Sequence, residues 1–304
     1  MVIPITLNKK NMFVENNTIN AIKTYLKEKL VEKFSASEIK LMTNELIKAR
    51  LNLSSSDLIS SGELLLSESD LLFFRSCAKR LLNDEPFQHI IGSTFFYGLE
   101  LQTDRRALIP RPETEELVDW IVKDYEDKSS IRIIDLCTGT GCIALALKSV
   151  FKTASIDAID VSLDALTLTK ENSNALGLEL NFRQLDVLSE SAFSPRIFLP
   201  ESYDVWVSNP PYIPESDKED MAKNVLEYEP EIALFVENEE PLKFYLKIAQ
   251  DALLFLKSDG ALYFEIHEAY GVQLKTELDV LGFKDIELRK DLQGKDRMLK
   301  AVKR

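Results

Sequence analysis

The chain has 304 residues, of which 45% are hydrophobic and 29% are charged, and it carries a formal net charge of −13. This composition is that of an ordinary globular protein of about two domains, and no apolar run reaches the ~20 residues that a membrane-spanning helix needs. The negative charge would repel a phosphate backbone, so we expect neither a membrane nor nucleic acid as a direct partner.

The first part of the chain, residues 1–85, has helical periodicity and few strand signals. Two capping boxes, Ser35 with Glu38 and Ser67 with Asp70, indicate helix starts, because their side chains satisfy backbone N–H groups of a first helical turn. This stretch contains no catalytic constellation. We predict an N-terminal helical bundle, with packing or the docking of a protein substrate as its role.

The second part, residues 86–304, begins with a predicted hairpin around Gly98, in a stretch rich in alternating aromatic residues. The segment Leu108–Glu115 follows and has the sequence Leu-Ile-Pro-Arg-Pro-Glu-Thr-Glu. Its second proline, Pro112, suits the first turn of a helix, and Glu113 and Glu115 suit the positive end of that helix. We predict that a helix begins at this point.

From Ile131 onwards, predicted strands and helices alternate, which is the pattern of a parallel sheet with helices on both faces. The predicted strands are 131–136, 155–160, about 180–185, 203–208, 261–266, about 285–289 and about 297–302. The predicted helices are 142–150, about 163–175, 241–257 and about 272–281. Residues 86–304 are therefore predicted to be an α/β domain with a doubly wound sheet.

The first strand of this sheet is followed by the turn Cys137–Gly141 (Cys-Thr-Gly-Thr-Gly). Glycine lets the backbone approach a ligand closely, and the positive end of the next helix meets the ligand there. Asp160 ends the second strand, where a carboxylate can bind both hydroxyls of a ribose. The turn predicts a nucleoside cofactor, and on this motif alone a nicotinamide cofactor and S-adenosylmethionine are equally compatible.

A second polar corner, Asn209–Tyr212 (Asn-Pro-Pro-Tyr), follows the apolar strand Tyr203–Ser208. The prolines hold Asn209 and Pro210 extended, so the Asn209 side-chain oxygen and the Pro210 carbonyl oxygen are fixed side by side. This pair is a receptor for a flat NH2 group, and the Tyr212 ring is suited to cover it. Because we expect this strand to lie beside the first one, the receptor adjoins the glycine turn. That arrangement suits a methyltransferase and not a hydride-transfer enzyme.

The segment from Glu215 to Glu240 holds ten Asp and Glu residues against two Lys. Such a charge run is typical of a solvated surface loop, and we predict one here. Because the segment follows the Asn-Pro-Pro-Tyr corner directly, it is also a candidate surface for a basic protein substrate.

The cysteines and histidines do not form a metal-binding pattern. Cys77, Cys137 and Cys142 include no C-x-x-C pair, and the chain has two histidines. The start of the chain lacks the basic and apolar regions of a secretory signal. We therefore expect reduced cysteines, no bound metal and a cytoplasmic location.

Over nearly its whole length, the chain resembles the HemK-like protein-(glutamine) methyltransferases (PrmC family), which modify peptide chain release factors. The resemblance rests on Leu108–Glu115, Asp135–Gly141, Asp160, Asn209–Tyr212 and Gly294–Arg297, of which the first and the fourth carry most weight. It implies a seven-stranded Rossmann-like class I methyltransferase sheet with S-adenosylmethionine as cofactor. The implied reaction methylates the glutamine of the Gly-Gly-Gln motif of release factors, which act in translation termination.

Together with the geometry of the corner, the resemblance implies the site residues. The cofactor-binding residues are Cys137, Thr138, Gly139, Thr140, Gly141, Asp160, Asp186, Val187 and Asn209. The catalytic residues are Asn209, Pro210 and Tyr212, and the substrate-binding residues are these three with Pro211 and Phe96. The chain departs from the family pattern at three positions. Cys137 and His267 stand where the family usually has glycine, and Val187 stands where it usually has an aromatic residue. We expect a structural role for His267, because no partner for proton transfer is evident.

Two other functions stay open. The same corner occurs in enzymes that methylate the exocyclic amine of adenine in nucleic acid, although the net charge of −13 and the lack of a separate basic domain favour a protein substrate. The other alternative is a non-catalytic cofactor-binding or docking module, against which the intact corner argues. We expect release factors as partners and a monomeric enzyme.

Overall fold

The part of the chain that the computed structural model describes is residues 14–128, 130–190 and 192–304. The chain divides into two compact units, of which the first ends at Ile91 and the second runs from Gly92 to Arg304. The sequence placed this boundary after residue 85. The difference is the short helix Phe87–Ile91, whose Ile90 side chain belongs to the hydrophobic core of the first unit.

The described residues of the first unit form five helices. Their bounds are Ile19–Leu30 (α1), Ala36–Leu51 (α2), Ser55–Ser60 (α3), Glu68–Leu82 (α4) and Phe87–Ile91 (α5). The capping boxes predicted at Ser35 and Ser67 are both formed. The apolar faces of the helices meet in one core, where Ile22, Leu46 and Phe74 are buried.

The second unit opens with the predicted hairpin, whose strands are Ser93–Phe96 (β1) and Leu99–Gln102 (β2). Gly98 lies between them with a φ of +78°, in the left-handed region that glycine adopts without steric cost. Helix Pro112–Asp124 (α6) follows, with Pro112 at its start and two acidic residues in its first turn, as predicted.

The rest of the second unit alternates between strands and helices. The strands are Arg132–Leu136 (β3), Ser155–Asp160 (β4), Asn181–Gln184 (β5), Tyr203–Ser208 (β6), Ile213–Pro214 (β7), Phe235–Val236 (β8), Leu256–Glu265 (β9), Lys284–Lys290 (β10) and Asp296–Val302 (β11). The helices are Cys142–Val150 (α7), Leu163–Leu176 (α8), Lys223–Tyr228 (α9), Lys243–Phe255 (α10) and Gly271–Leu281 (α11).

Seven of these strands form one sheet in the order β10-β11-β9-β6-β3-β4-β5. Strands β9, β6, β3, β4 and β5 are parallel to their neighbours in this row, and β11 is antiparallel to both β9 and β10. Ile134 and Trp206 pack on one face with residues of α10 and α11, whereas Ile133 and Val205 pack on the other face with residues of α6 and α7. The structure confirms the predicted doubly wound sheet of seven strands.

Strand β6 lies directly beside β3, as expected. All six residues of β6 are buried, including the polar Asp204 and Ser208, as is typical of a strand in the middle of a parallel sheet. Leu136 and Ser208 are register partners, and Ser208 Oγ donates a hydrogen bond of 2.7 Å to the Leu136 carbonyl oxygen. The two strands therefore end at the same edge of the sheet, and the segments after them leave it side by side.

The acidic segment after the Asn-Pro-Pro-Tyr corner is not a plain solvated loop, so that prediction is wrong. Strands β7 and β8 pair in and beside it, and it contains α9 and the 3₁₀ helices Glu215–Asp220 and Glu231–Ala233. Leu234 and Val236 are buried, so part of the segment packs inside the protein. The many acidic residues of the segment gave no indication of this.

Candidate functional site

Most of the predicted site residues meet at a cavity at the carboxyl ends of β3, β4 and β6. The predicted residues that line it are Cys137, Thr138, Gly139, Thr140, Asp160, Asp186, Val187, Asn209 and Pro211. Apolar side chains such as Ile109, Ile143 and Phe244 complete much of the wall. Open α/β sheets bind ligands at this edge, typically in apolar clefts that carry a few fixed polar groups.

The turn Cys137–Gly141 has an unusual backbone, because three of its residues adopt left-handed angles. Their φ values are +61° at Cys137, +58° at Gly139 and +81° at Gly141. A Cβ atom at Gly141 would lie 2.4 Å from Thr169 Cγ2, so this position requires glycine for space as well as for angle. The turn can therefore bring backbone N–H groups and the positive end of α7 to the cavity.

Asp135, which is buried in β3, anchors the turn from the side of the sheet. Its Oδ2 accepts the Thr138 hydroxyl over 2.6 Å and the Ala144 N–H over 3.2 Å. Burial raises the pKa of this carboxyl to about 7, and the two hydrogen bonds limit the rise. The turn is thus fixed by the protein itself.

Asp160 joins the end of β4 to the same turn. Its Oδ2 accepts the Gly139 N–H and its Oδ1 accepts the Ser162 N–H, each over 2.9 Å. Burial raises the pKa of the carboxyl. Each carboxylate oxygen keeps the capacity to accept one more hydrogen bond, and the side chain lines the cavity. The residue fits two neighbouring hydroxyl donors, as a ribose offers.

Asn209 is held by a chain of hydrogen bonds that ends at a buried carboxylate. Its Nδ2 donates to Thr114 Oγ1 over 3.4 Å, and Thr114 Oγ1 donates to Glu265 Oε2 over 2.5 Å. The Tyr212 hydroxyl donates to Glu265 Oε1 over 3.1 Å. Glu265 is 2% exposed, and burial raises its pKa. One carboxylate at the end of β9 therefore links helix α6 to the Asn-Pro-Pro-Tyr corner.

Pro210 and Tyr212 are not among the residues that line the cavity, whereas Asn209 is. The Tyr212 ring packs against the core of the sheet and meets the His267 ring edge to face, with 6.1 Å between the centroids. Burial and the nearby Glu265 carboxylate raise the pKa of Tyr212, so its hydroxyl stays protonated as a donor. In this structure Tyr212 braces the corner and does not cover the cavity.

His267 lies beside the site. Its Nδ1 accepts the Ala269 N–H over 3.2 Å, and burial lowers its pKa. Its Nε2 lies 3.6 Å from Asp217 Oδ2. The residue does not line the cavity, which agrees with the structural role expected for it.

Phe96 lies away from the cavity, contrary to the expectation that it contacts the substrate. It is the last residue of β1, and its side chain is 1% exposed in the same core as Leu117 and Ile121 of α6. The preceding Phe95 is 73% exposed. Because successive side chains of a strand point to opposite faces, the hairpin directs Phe96 into the core.

Two carboxylates that join separate segments of the site were not predicted from the sequence. They are Glu265 and Glu229. Glu229 Oε1 accepts Arg111 Nη2 over 2.6 Å, and its Oε2 accepts the Ile109 N–H over 2.9 Å. Glu229 lies among nine other acidic residues in its segment, so composition offered no signal for it. For Glu265, the available signal was a single acid at the end of an apolar strand.

The described residues contain neither a metal-binding cluster nor a membrane-spanning helix. Nowhere in them do three His, Cys, Asp or Glu side chains gather as ligands for a metal ion. Cys77, Cys137 and Cys142 are free cysteines. None of the helices combines the length and the hydropathy that a bilayer crossing demands.

Two family models match the chain. The first is described as the PrmC N-terminal domain and matches residues 25–92, which lie almost entirely in the helical first unit. The second is described as the methyltransferase small domain and matches residues 114–232 of the second unit.

Relatives of known name span nearly the whole chain. The release factor glutamine methyltransferase of Bacteroides thetaiotaomicron is 37% identical over 283 residues, which are 93% of this chain and 99% of the relative. The release factor glutamine methyltransferase of Flavobacterium psychrophilum is 38% identical over 286 residues, 93% of this chain and 98% of the relative.

Solved structures show the same fold. The hMettl16 catalytic domain in complex with MAT2A 3'UTR hairpin 6 matches with a TM-score of 0.52 at 17% identity, over 78% of this chain and 81% of that one. A methyltransferase from Pyrococcus furiosus matches with a TM-score of 0.50 at 15% identity, over 74% of this chain and 96% of that one. At these identities the likeness concerns the fold alone.

Proposed function

The chain belongs to the release factor glutamine methyltransferase family, and we propose that its Asn209–Tyr212 corner holds the reacting amide during the family's reaction. The enzyme transfers a methyl group from S-adenosylmethionine to the side-chain amide nitrogen of a glutamine in a release factor. We assign that glutamine to the Gly-Gly-Gln motif. The supporting observation is the pairing of β3 with β6, which brings Asn209 and the glycine turn to one cavity.

S-adenosylmethionine is the cofactor, and it supplies a methyl group carried by a positively charged sulfur. The residues of the cavity fit this molecule by their chemistry. We assign its methionine part to the turn Cys137–Gly141, where backbone N–H groups and the start of α7 favour a carboxylate. We assign its ribose to Asp160, and its adenine to Asp186 and Val187, of which Val187 is an apolar, buried wall.

The chain's own contribution to the chemistry is to orient a weak nucleophile. An amide nitrogen is a poor nucleophile because its lone pair is delocalised into the carbonyl group. Asn209 Oδ1 and the Pro210 carbonyl oxygen accept its two N–H bonds and aim the lone pair at the methyl group. The same two acceptors favour the positive charge that develops on nitrogen. The proton leaves after methyl transfer, so the mechanism needs no histidine base.

Pro211 and Tyr212 have supporting roles in this mechanism. Pro211 lines the cavity and keeps Pro210 extended, so the Pro210 carbonyl oxygen stays in place. Tyr212 fixes the end of the corner through its hydrogen bond to Glu265.

Mass spectrometry of release factors from cells with and without this protein tests the function. We expect the glutamine of the Gly-Gly-Gln motif to carry one added methyl group only when the protein is present. Purified protein with S-adenosylmethionine should methylate a release factor but not a variant in which that glutamine is alanine. Equal methylation of the native release factor and of the alanine variant would refute the assignment.

We propose that the helical first unit docks the body of the release factor. It has its own core and is matched by the PrmC N-terminal domain model, whereas the cofactor residues all lie in the second unit. A protein without residues 1–91 should lose more activity on a whole release factor than on a short glutamine peptide. Circular dichroism and cofactor binding would control for its folding, and equal losses on both substrates would contradict docking.

We propose a protein substrate and not an adenine base of nucleic acid, which the net charge of −13 supports. Adenine-containing DNA and RNA oligonucleotides should accept no methyl group under conditions in which a release factor does. We also propose that the enzyme works in the cytoplasm as a monomer. Cell fractionation and sedimentation analysis test these two points.

A further inference from the structure

We propose that Glu265 and Thr114 are positioning residues that set the direction in which the Asn209 amide points. This inference rests on the proposed function, in which Asn209 Oδ1 accepts the amide of the substrate. It brings two residues from other parts of the chain into the reaction, one at the end of β9 and one in the first turn of α6.

The three side chains form a continuous hydrogen-bonded chain. Thr114 Oγ1 lies 2.5 Å from Glu265 Oε2 and 3.4 Å from Asn209 Nδ2. Thr114 and Glu265 are each 2% exposed, so solvent does not compete for these bonds. Thr114 and Asn209 both line the cavity, whereas Glu265 does not.

The number of available protons determines which group donates in each of these hydrogen bonds. A hydroxyl group has one proton to donate, and an ionised carboxylate has none. Thr114 gives its proton to Glu265, so it can only accept from Asn209. Asn209 must therefore turn its NH2 group towards Thr114, and its Oδ1 points the other way. No group in the described part of the chain donates to that oxygen, which leaves it available to a substrate.

Burial raises the pKa of Glu265, and its two hydrogen-bond donors and a nearby positive charge oppose that rise. The carboxylate accepts the hydroxyl protons of Thr114 and Tyr212, and the positive charge of Arg297 lowers its pKa against the effect of burial. Arg297 is itself fixed, with Nη1 donating to the Ile266 carbonyl oxygen over 3.3 Å. Three stretches that support the family resemblance therefore converge on one buried acid.

Without Thr114 and Glu265, the Asn209 amide is free to take the opposite orientation, which does not bind the amide of the substrate. If Asn209 rotated its amide by half a turn, its NH2 group would face the NH2 group of the glutamine. Two donors cannot hydrogen-bond to each other, so one of the two acceptors that align the nucleophile would be missing. Misalignment of this kind typically lowers a rate by about a hundredfold.

Thr114→Val tests the inference, because valine has the shape of threonine but neither donates nor accepts. We expect kcat on a release factor to fall about a hundredfold, with the Kd for S-adenosylmethionine unchanged. Thr114→Ser should restore most of the activity. Glu265→Gln should lose activity as Thr114→Val does, since a glutamine NH2 group can donate to Thr114 and free the Thr114 proton for Asn209 Oδ1.

Tyr263→Phe is the matched control. Tyr263 lies on β9 with Glu265, and its buried hydroxyl donates to the Asp124 carboxylate over 2.6 Å, outside the site. This variant also removes a hydroxyl–carboxylate hydrogen bond, so it should lower Tm while kcat stays normal. A loss of kcat as large as that of Thr114→Val would mean that any loosening of β9 impairs the enzyme, and it would overturn the inference.

A double-mutant cycle with Asn209→Ala separates positioning from a general structural effect. If Thr114 acts through Asn209, Thr114→Val should lower kcat in the native background and have no further effect beside Asn209→Ala. Full, independent losses in both backgrounds would refute the inference. Normal turnover by Asn209→Ala alone would refute the proposed mechanism, whereas a large loss there with normal turnover by Thr114→Val would refute only the role of Thr114.

Discussion

The Glu229 carboxylate, whose side chain is 1% exposed, accepts a hydrogen bond of 2.6 Å from the Arg111 guanidinium. Its other oxygen accepts the Ile109 N–H over 2.9 Å. Ile109, Arg111 and Pro230, the residue after Glu229, all line the cavity. The ion pair therefore holds two walls of the cavity together, one before α6 and one after α9.

Glu229→Gln should release the acidic segment 215–240, because it leaves Arg111 without its ionic partner. Removal of one member of a buried pair costs about 3 kcal/mol, and less here because the Arg111 side chain is 33% exposed. We expect cleavage by a glutamate-specific protease within the segment to become about tenfold faster, and cofactor affinity to fall.

The matched control is Glu231→Gln, two residues later. Glu231 pairs with Lys218 at the surface, where the two side chains are 66% and 44% exposed, and such pairs contribute about 0–1 kcal/mol. Because such a protease does not cleave the Glu229–Pro230 bond, only the control loses a cleavage site, so cleavage is compared at the other glutamates of the segment that no proline follows, which both variants keep. Similar cleavage rates for both variants would contradict a special role for Glu229.

Asn209→Ala should lower kcat by about a hundred- to a thousandfold, because it removes one of the two acceptors that orient the amide. Cofactor affinity, measured by calorimetry, should change little, since we assign most cofactor contacts to the glycine turn and Asp160. Asn209→Asp keeps an acceptor oxygen but replaces the NH2 group that donates to Thr114. If that donation matters, the Asp variant should be as inactive as the Ala variant.

Asp160→Ala should weaken binding of S-adenosylmethionine by about 1.5–3 kcal/mol, the typical cost of losing hydrogen bonds to a charged group. The control is Asp164→Ala, which removes an exposed carboxylate four residues later in α8. Calorimetric titration of both variants measures the difference. Equal affinities for Asp160→Ala and the native protein would exclude Asp160 from the site.

Gly141→Ala should destabilise the protein by about 1–3 kcal/mol, because the added Cβ collides with Thr169 Cγ2. Thr169→Ser removes that methyl group and keeps the hydroxyl that donates to the Gly139 carbonyl oxygen. Added to Gly141→Ala, it should recover part of the free energy of unfolding. The remaining loss should reflect the left-handed φ of +81°. Urea denaturation of both variants shows whether the second substitution helps.

Asp135 should make stability depend on pH. Its pKa is about 7 in the folded protein against an ordinary value of 3.8, so the folded protein binds a proton that the unfolded chain has released. The stabilisation that this carboxyl gives at low pH is therefore lost as pH rises from about 4 to about 7. Asp135→Asn lacks this dependence, and its free energy of unfolding should rise relative to the native protein across that window. The slope should be at most about 1.4 kcal/mol per pH unit. Parallel curves for both proteins would contradict the raised pKa.

The sheet could be predicted from sequence because its strands are strongly patterned. Strands β4 and β6 and helix α7 have the predicted bounds, since apolar runs and glycine turns delimit them. Strand β9 begins at Leu256, five residues before the predicted start at Ala261, because Asp259 and Gly260 look like a turn. Asp259 is accommodated inside the strand at a φ of +61°.

The parts of the site that depend on the course of the backbone could be predicted from the sequence. The parts that depend on the direction of a side chain could not. The glycine turn, Asp160 and Asn209 follow from the rule that parallel strands end at one edge. Phe95 and Phe96 are adjacent aromatic residues, and one sequence does not say which of them faces the core. Glu265 becomes a site residue only through its hydrogen bonds with Thr114 and Tyr212, which lie 151 and 53 positions away in the chain.

The pairing of β3 with β6, which includes the hydrogen bond from Ser208 to the Leu136 carbonyl oxygen, determines where in the chain insertions and deletions are tolerated. Loops between β3 and β6 can grow or shrink without moving Cys137 relative to Asn209, because the two strands themselves set that spacing. One residue inserted within β6 would shift Asn209 by about 3.3 Å and turn its side chain to the opposite face. Natural insertions in this family should therefore accumulate in the connecting loops and be absent from these two strands.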